Sequence, residues 1–389
     1  MNERVARFDL RLAMRAALPV LAIVVPIAMV AAILVAAGET RGYDYLMYDS
    51  AARRLLGGGP LYDLSFTAPG PNGLFDYPPT FILAVLPFAA ALPPQAAMLA
   101  WTARLNLAFI VGVVLLPVRR EVRWAVVLLA GTSWPYLYAV KLGQLGPLLF
   151  LAYAAAWRWA DRPLGVGLSS ALGTAAKLQP VLLLGWALVT RRFRAVGVGI
   201  GALLLAGAVA TIVAGPAAWS DWITLIARVG GNAITAPQVL SVGAIAYRAG
   251  VPLPVATIVQ WGSAAAVGAV VLLAWLRYPP SVAIVVTAVA SILVSPIVWA
   301  HYAVILLLPV ALLLERRQWW AAALPIVTWL PIDAVYPVVF AIGLLAPLAV
   351  GEQLRRSTNA APDGPLGQGP FGQGPVGPGR RPPVLSSRS

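Results

Sequence analysis

Cysteine is absent from this chain, histidine occurs once, at His301, and lysine occurs only at Lys141 and Lys177. Without cysteine there is no disulfide framework and no thiolate metal site. A single imidazole cannot build a transition-metal centre of the usual kind. Charge is scarce as well. With 11% charged residues against 60% hydrophobic ones in 389 residues, the chain has too little polar surface to cover a soluble globule of its size. It is therefore expected to be an integral membrane protein. Its net charge of +14 then takes a different meaning from nucleic-acid binding, because positive residues in membrane proteins collect in cytoplasmic loops.

What the chain has in abundance is apolar sequence. Arg4, Arg7, Arg11 and Arg15 precede an apolar run over residues 16–38. That run is too long for a signal-peptide core and lacks a convincing cleavage site, so it is expected to be an uncleaved signal-anchor helix that starts inside the cell. Further apolar stretches follow, among them residues 77–92, 124–140, 195–214 and 335–350, several shorter than the roughly 20 residues a straight span needs. If 77–92 were a full span, Arg119, Arg120 and Arg123, Arg158 with Arg162, and the cluster at Arg191, Arg192 and Arg194 would all lie outside, against the positive-inside bias. Treating 77–92 as a juxtamembrane helix on the outer surface puts every one of those clusters inside, along with Arg277, Arg316, Arg317, Arg355 and Arg356. The expected fold class is therefore an all-α polytopic membrane protein of about twelve transmembrane helices, with juxtamembrane helices in the first outer loop and both termini cytoplasmic. The membrane domain covers residues 1–354, with outer loops at 39–94 and 215–250. Residues 355–389 are rich in Gly and Pro and are expected to be a disordered cytoplasmic tail.

The cations that break the charge rule are informative. Lys141, Lys177 and His301 fall at outward ends of spans, and Arg41, Arg53, Arg54, Arg228 and Arg248 share that side. Each is a candidate to meet an anionic lipid headgroup. Lys177 interrupts an apolar run just before Gln179 and Pro180, and reads either as a lysine snorkelling at a helix end or as a cation on a lipid phosphate. His301 reads either as polar packing at the interface or as a substrate contact.

The first outer loop gathers five of the fourteen acidic residues: Glu39, Asp44, Asp49, Asp63 and Asp76. From Tyr45 to Leu56 apolar and aromatic positions recur at helical spacing, which predicts a short amphipathic helix on the membrane surface. Asp44, just before it, is placed to act as an N-cap or as a carboxylate that takes a proton from a substrate hydroxyl. Asp49 is the competing carboxylate. Asp63 and Asp76 lie beside Gly and Pro residues and are expected to shape turns. Tyr77 precedes Pro78 and Pro79, which mark a change of direction and a helix start.

Taken together, Asp44 with Tyr48, Ala51 and Ala52, the run from Gly57 to Asp63, Tyr77-Pro78-Pro79, Gly143-Gln144, Lys177 with Pro180, and Ser295-Pro296 with Trp299, His301 and Tyr302 form an ordered set. In this set the chain resembles glycosyltransferase family eighty-seven, the polyprenyl-phosphate-dependent mannosyl- and arabinofuranosyltransferases of the C-type glycosyltransferase fold. The resemblance implies that Asp44 is the catalytic base, with Asp49 as runner-up. It also implies that Lys177, His301, Lys141, Gln144, Tyr77, Arg228 and Arg248 are candidates for contact with the donor phosphate or substrate. The implied reaction moves one sugar, mannose first and arabinofuranose second, from polyprenyl phosphate to a hydroxyl of a glycolipid or lipid-linked glycan at the outer leaflet of the cell membrane, with inversion. No metal and no cofactor beyond the donor is expected, since a monophosphate leaving group carries less charge than a pyrophosphate. A transporter or flippase would fit the span count, but it would more often place ionisable residues within spans or show an internal repeat.

Overall fold

The computed structural model describes residues 2–65, 74–231 and 233–359, with side chains described within 17–353 and at Arg355 and Arg356. Among the described residues the protein is helical, with no strand. The helices are α1 (Asn2–Ala36), α2 (Tyr43–Leu56), α3 (Ile82–Ala91), α4 (Pro94–Leu115), α5 (Arg120–Gly131), α6 (Trp134–Leu142), α7 (Gly146–Arg158), α8 (Pro163–Ala176) and α9 (Leu182–Val189). They continue with α10 (Phe193–Ala214), α11 (Ala217–Gly231), α12 (Val242–Arg248), α13 (Leu253–Arg277), α14 (Pro280–Leu293), α15 (Leu307–Glu315), α16 (Ala323–Val327) and α17 (Val335–Asn359). 3₁₀ turns introduce α3, α9, α15 and α16.

Five of these segments are long and apolar enough to cross a bilayer: Ala17–Ala36, α4, α10, α13 and Val335–Gln353. A sixth arises if α5 and α6 count as one span, bent by 64° where they meet. The structure therefore supports five to six spans by length and composition rather than the expected twelve. Proline is the physical reason for the difference. Pro135, Pro147, Pro163, Pro180 and Pro280 each occupy the first turn of a helix or 3₁₀ turn. There the missing N–H costs nothing and the residue before is driven out of helical geometry, so long apolar runs are cut into pieces. The run expected over 124–140 is divided in this way at Thr132 and Ser133.

The short pieces are not poorly packed. α14 and α15 are buried almost throughout and form the centre of the main hydrophobic core with α5, α7 and the 3₁₀ turn before α15. The long helices α10 and α13 instead expose Leu204, Leu205, Ile212, Ile258 and Leu276, the pattern of a lipid-facing wall. A second core, built on Tyr45, Tyr48, Phe75, Tyr77, Phe81 and Trp101, holds α2 and α3 against α4. The 3₁₀ turn Pro79–Phe81 and α3 together form an apolar piece shorter than a span. At the other end of the chain, α17 runs to Asn359, so residues 355–359, expected to be disordered, are helical. The rest of the expected tail, 360–389, lies outside the described residues, as does Asn232 of the 215–250 loop.

Loops expected on one side of the membrane touch one another. Arg119 pairs with Glu315 at 3.2 Å and Arg192 with Asp161 at 3.6 Å. At the opposite ends, Gly42 meets Lys141, and Trp222 donates to the carbonyl of Asp76 at 3.0 Å.

Candidate active site

Two glycines bring the start of α2 to the end of α6. Gly42 occupies the N-cap of α2 with φ of 69°, and its N–H donates to the Lys141 carbonyl at 2.7 Å. Gly143 ends α6 with φ of 77°, and a Cβ there would stand 2.8 Å from the Tyr45 Cβ. Both positions need left-handed backbone and close approach, which only glycine supplies without strain. Asp44, in the first turn of α2, is in this way set beside Gln144, the residue after Gly143.

The expectation that Asp44 could cap α2 is corrected here. Gly42 is the N-cap, and Asp44 lies inside the first turn. Its Oδ2 is buried with no hydrogen-bond partner. Burial pushes the Asp44 carboxyl up to about 6, against the lowering effects of the Gln144 side chain and the Lys177 charge, and the charge of Asp76 adds a smaller rise. A carboxylate with a free, desolvated oxygen is poised to accept a proton.

A relay of hydroxyls fixes Gln144. The Tyr48 hydroxyl donates to the Tyr77 hydroxyl at 3.0 Å, and that donates to Gln144 Oε1, also at 3.0 Å. Oε1 accepts a second bond from the Leu145 N–H at 3.1 Å. With the amide oxygen so engaged, the NH₂ group is the part left for Asp44. Lys177 caps α8, donates to the Tyr302 hydroxyl, and lies 3.8 Å from the centre of that ring and 5.5 Å from that of Tyr77. It interacts electrostatically with both Asp44 and Asp76. His301 is buried, stacks on Trp299 at 9° and meets Tyr302 and Tyr138 edge-on, and neither ring nitrogen has a partner. Gln144, Lys177 and Tyr302 line a small pocket whose remaining walls are Gly146, Leu149, Ile292 and Ile305.

Asp44, Tyr77, Gln144, Lys177 and His301 are thus gathered into one site. Lys141 is at its edge: its carbonyl anchors Gly42, and its ammonium lies 5.8 Å from the Tyr138 ring centre. Asp49 is buried and held by Arg53 at 2.7 Å, with the Tyr45 hydroxyl at 3.4 Å. The ion pair leaves it little freedom, since Arg53 also donates to the Leu92 carbonyl. Arg228 is exposed and donates to the Leu64 carbonyl, strapping α11 to the first loop. Arg248 is turned elsewhere, paired with Asp333 at 2.7 Å and bonded to the Val239 carbonyl. Asp63 makes the expected turn with Ser65.

Asp76 is the member that the sequence reading passed over. It is not simply a turn residue: burial pushes its carboxyl up, and Lys177 faces it. Its place before Tyr77-Pro78-Pro79 signalled a turn, while nothing local signalled the distant lysine. Among the described residues no three His, Asp or Glu side chains gather in a group that could hold a metal ion.

Residues 75–296, more than half of the chain, match the family model of glycosyltransferase family 87. The chain belongs to that family. The resemblance read from its motifs is thereby confirmed, and this family 87 protein is a membrane glycosyltransferase. The matched span contains Asp76, Tyr77, Gln144 and Lys177, while Asp44, His301 and Tyr302 lie beyond its ends. A curated relative from Mycobacterium tuberculosis (strain ATCC 25618 / H37Rv) is 27% identical over 331 residues, covering 75% of this chain and 76% of its own length. Its description is polyprenol-phosphate-mannose-dependent alpha-(1-2)-phosphatidylinositol mannoside mannosyltransferase. No solved structure matches the family 87 chain.

Proposed function

We propose that this protein transfers mannose from a polyprenyl phosphate to a hydroxyl of a glycolipid or lipid-linked glycan, with inversion, at the outer leaflet of the cell membrane. The observation that carries this reading is the buried, unpartnered Oδ2 of Asp44, facing the cations and tyrosines of the site. Asp44 takes the proton of the acceptor hydroxyl as that oxygen attacks the anomeric carbon. The bond to the phosphate oxygen breaks, and polyprenyl phosphate leaves as an anion without needing a proton. Lys177 is placed to stabilise that charge, in surroundings of low dielectric where such a contact counts for most. Gln144, locked by Tyr77, keeps the Asp44 carboxylate oriented. The choice of mannose over arabinofuranose rests on the donor named for the mycobacterial relative.

The topology in this reading keeps about twelve passages, with the short helices crossing in part and both termini inside. It is supported by the pairing of Arg119 with Glu315 and of Arg192 with Asp161, which joins loops of like expected side.

The test is transfer of radiolabelled mannose from polyprenyl phosphate to glycolipid in membranes containing the protein. Asp44→Asn is expected to lower turnover by about 100- to 10,000-fold, the usual worth of a positioned general base. Full activity in Asp44→Ala would remove Asp44 from the mechanism, and loss confined to Asp49→Ala would move the role there.

A further inference from the structure

The 64° bend between α5 and α6 turns α6 away from the direction of α5 and runs it toward Gly143 and Asp44. Along one face of α6 lie Tyr138 and, one turn earlier, Trp134. Tyr138 meets the ring of His301 at 5.8 Å and lies under the Lys141 ammonium at 5.8 Å. Trp134 stacks on Tyr138, with ring centres 5.0 Å apart and planes within 12°. Trp329, at the end of α16, continues the row 5.3 Å from Trp134 and tilted by 51°. The rings therefore form a continuous strip that begins at His301, within the proposed site, and ends at an indole that is 44% exposed.

We infer that the paired indoles of Trp134 and Trp329 are the subsite on which the sugar rings of the acceptor glycan lie. Resting on the glycosyl-transfer reading of Asp44, the assignment deepens it by naming what holds the acceptor. The 5.3 Å between the two indole centres spaces them for neighbouring sugar rings, while Tyr138, stacked on Trp134, backs the first of them. Flat, apolar faces with a fixed polar edge suit the C–H faces of a pyranose, which aromatic rings take up with little loss of side-chain freedom.

Tryptophan at a membrane surface often serves only as an interfacial anchor. Three features set these two apart. The Trp329 indole N–H does not reach outward for headgroups but donates to the Thr132 carbonyl at 2.7 Å, a group freed by the break between α5 and α6. The loop that bears Trp329 is pinned on both sides, by the Tyr336 hydroxyl on the Thr328 carbonyl and by the Arg248–Asp333 pair. Trp134 is half-buried against Tyr138, so the strip is continuous with the site. Arg248 thereby acquires a positioning role that its place in the sequence did not reveal.

The experiment has two readouts on the full-length protein in detergent. In the first, intrinsic fluorescence is followed during titration with a water-soluble α-linked mannotriose, with no donor present. Quenching or a spectral shift is expected, and it is expected to vanish in the double variant Trp134→Phe, Trp329→Leu. In the second, transfer kinetics are measured against a phosphatidylinositol mannoside acceptor. Trp134→Ala and Trp329→Ala are expected to raise the acceptor KM about three- to tenfold while the donor KM is held, with Trp329→Phe recovering most of the loss. Arg248→Ala is expected to raise the acceptor KM and Arg248→Lys to restore it. An unchanged fluorescence signal with mannotriose overturns the subsite. So does a loss in the variants that falls equally on donor and acceptor KM, the result expected of interfacial anchors. If no transfer from polyprenyl phosphate mannose is detected, the reading of the reaction fails while the fluorescence titration still tests the sugar platform on its own.

Discussion

Asp44 carries the pH dependence of the proposed reaction. Its carboxyl, pushed up to about 6 by burial, must be ionised to act as a base, so activity is expected to rise with pH through about 6 and then level. The neighbouring charges fix the sign of two shifts. Asp76 holds the Asp44 carboxyl up, so Asp76→Asn is expected to move the acid limb of the pH–rate profile to lower pH. Lys177 holds it down, so Lys177→Met is expected to move the limb upward while also weakening donor turnover. A limb that stays in place in both variants would detach the profile from Asp44. Asp49 belongs to a different class of residue. With Arg53 at 2.7 Å and a buried environment, Asp49→Asn is expected to cost about 1–2 kcal/mol of stability, seen in thermal denaturation, with the chemical step retained.

At the scale of elements, the junction between α2 and α6 is the structural requirement for the site. Gly143→Ala forces a side chain into left-handed backbone and into Tyr45 at 2.8 Å. A loss of about 1–3 kcal/mol is expected, together with reduced turnover as Gln144 swings from Asp44. Gly58→Ala is the matched control, with φ of 81° but open space around it, and is expected to show the backbone penalty alone. Uninterrupted apolar runs were legible in the sequence: residues 195–214 correspond to α10 (Phe193–Ala214), and the surface helix expected from Tyr45 to Leu56 is α2 (Tyr43–Leu56). Interrupted ones were not, because hydropathy is blind to a proline's effect on its neighbour, and α5 with α6 read as one helix. The site was legible where a polar residue broke an apolar run, as at Lys177. It was illegible at Asp76, whose neighbours Tyr77 and Pro78 account for it locally and whose partner is about a hundred residues away. Trp134 and Trp329 escaped because an isolated tryptophan near a helix end reads as an interfacial one.

For the whole molecule, the absence of cysteine is an experimental convenience, since any single introduced thiol reports its own side of the membrane. With the proposed orientation, Ala91→Cys is expected to react with an impermeant maleimide added to intact cells. Asp161→Cys, beside Arg192 on the opposite end, is expected to react only after the cells are opened. Labelling of Ala91→Cys solely from within would make the Pro79–Ala91 segment a true crossing and reverse the loops that follow. The exposed apolar walls of α10 and α13, set against the fully buried α14, further predict that photoactivatable lipid tags α10 and α13 and spares α14.

The shortness of the inner helices also bears on how the chain is made. Helices of 14, 8 and 14 residues at α8, α9 and α14 are poor candidates to leave the translocon singly, since each falls short of the bilayer thickness and starts at or just after a proline. α8 and α9 must wait, shielded, until α10 has been synthesised to cover them, whereas α14 emerges after α10 and α13 are already made. Nascent chains halted before Phe193, though anchored by Ala17–Ala36 and α4, should therefore leave their α7–α9 portion open to added protease and become protected there once α10 has emerged. Assembly of this enzyme is in that sense cooperative over groups of helices, with the long hydrophobic segments acting as escorts for the short ones that flank Lys177.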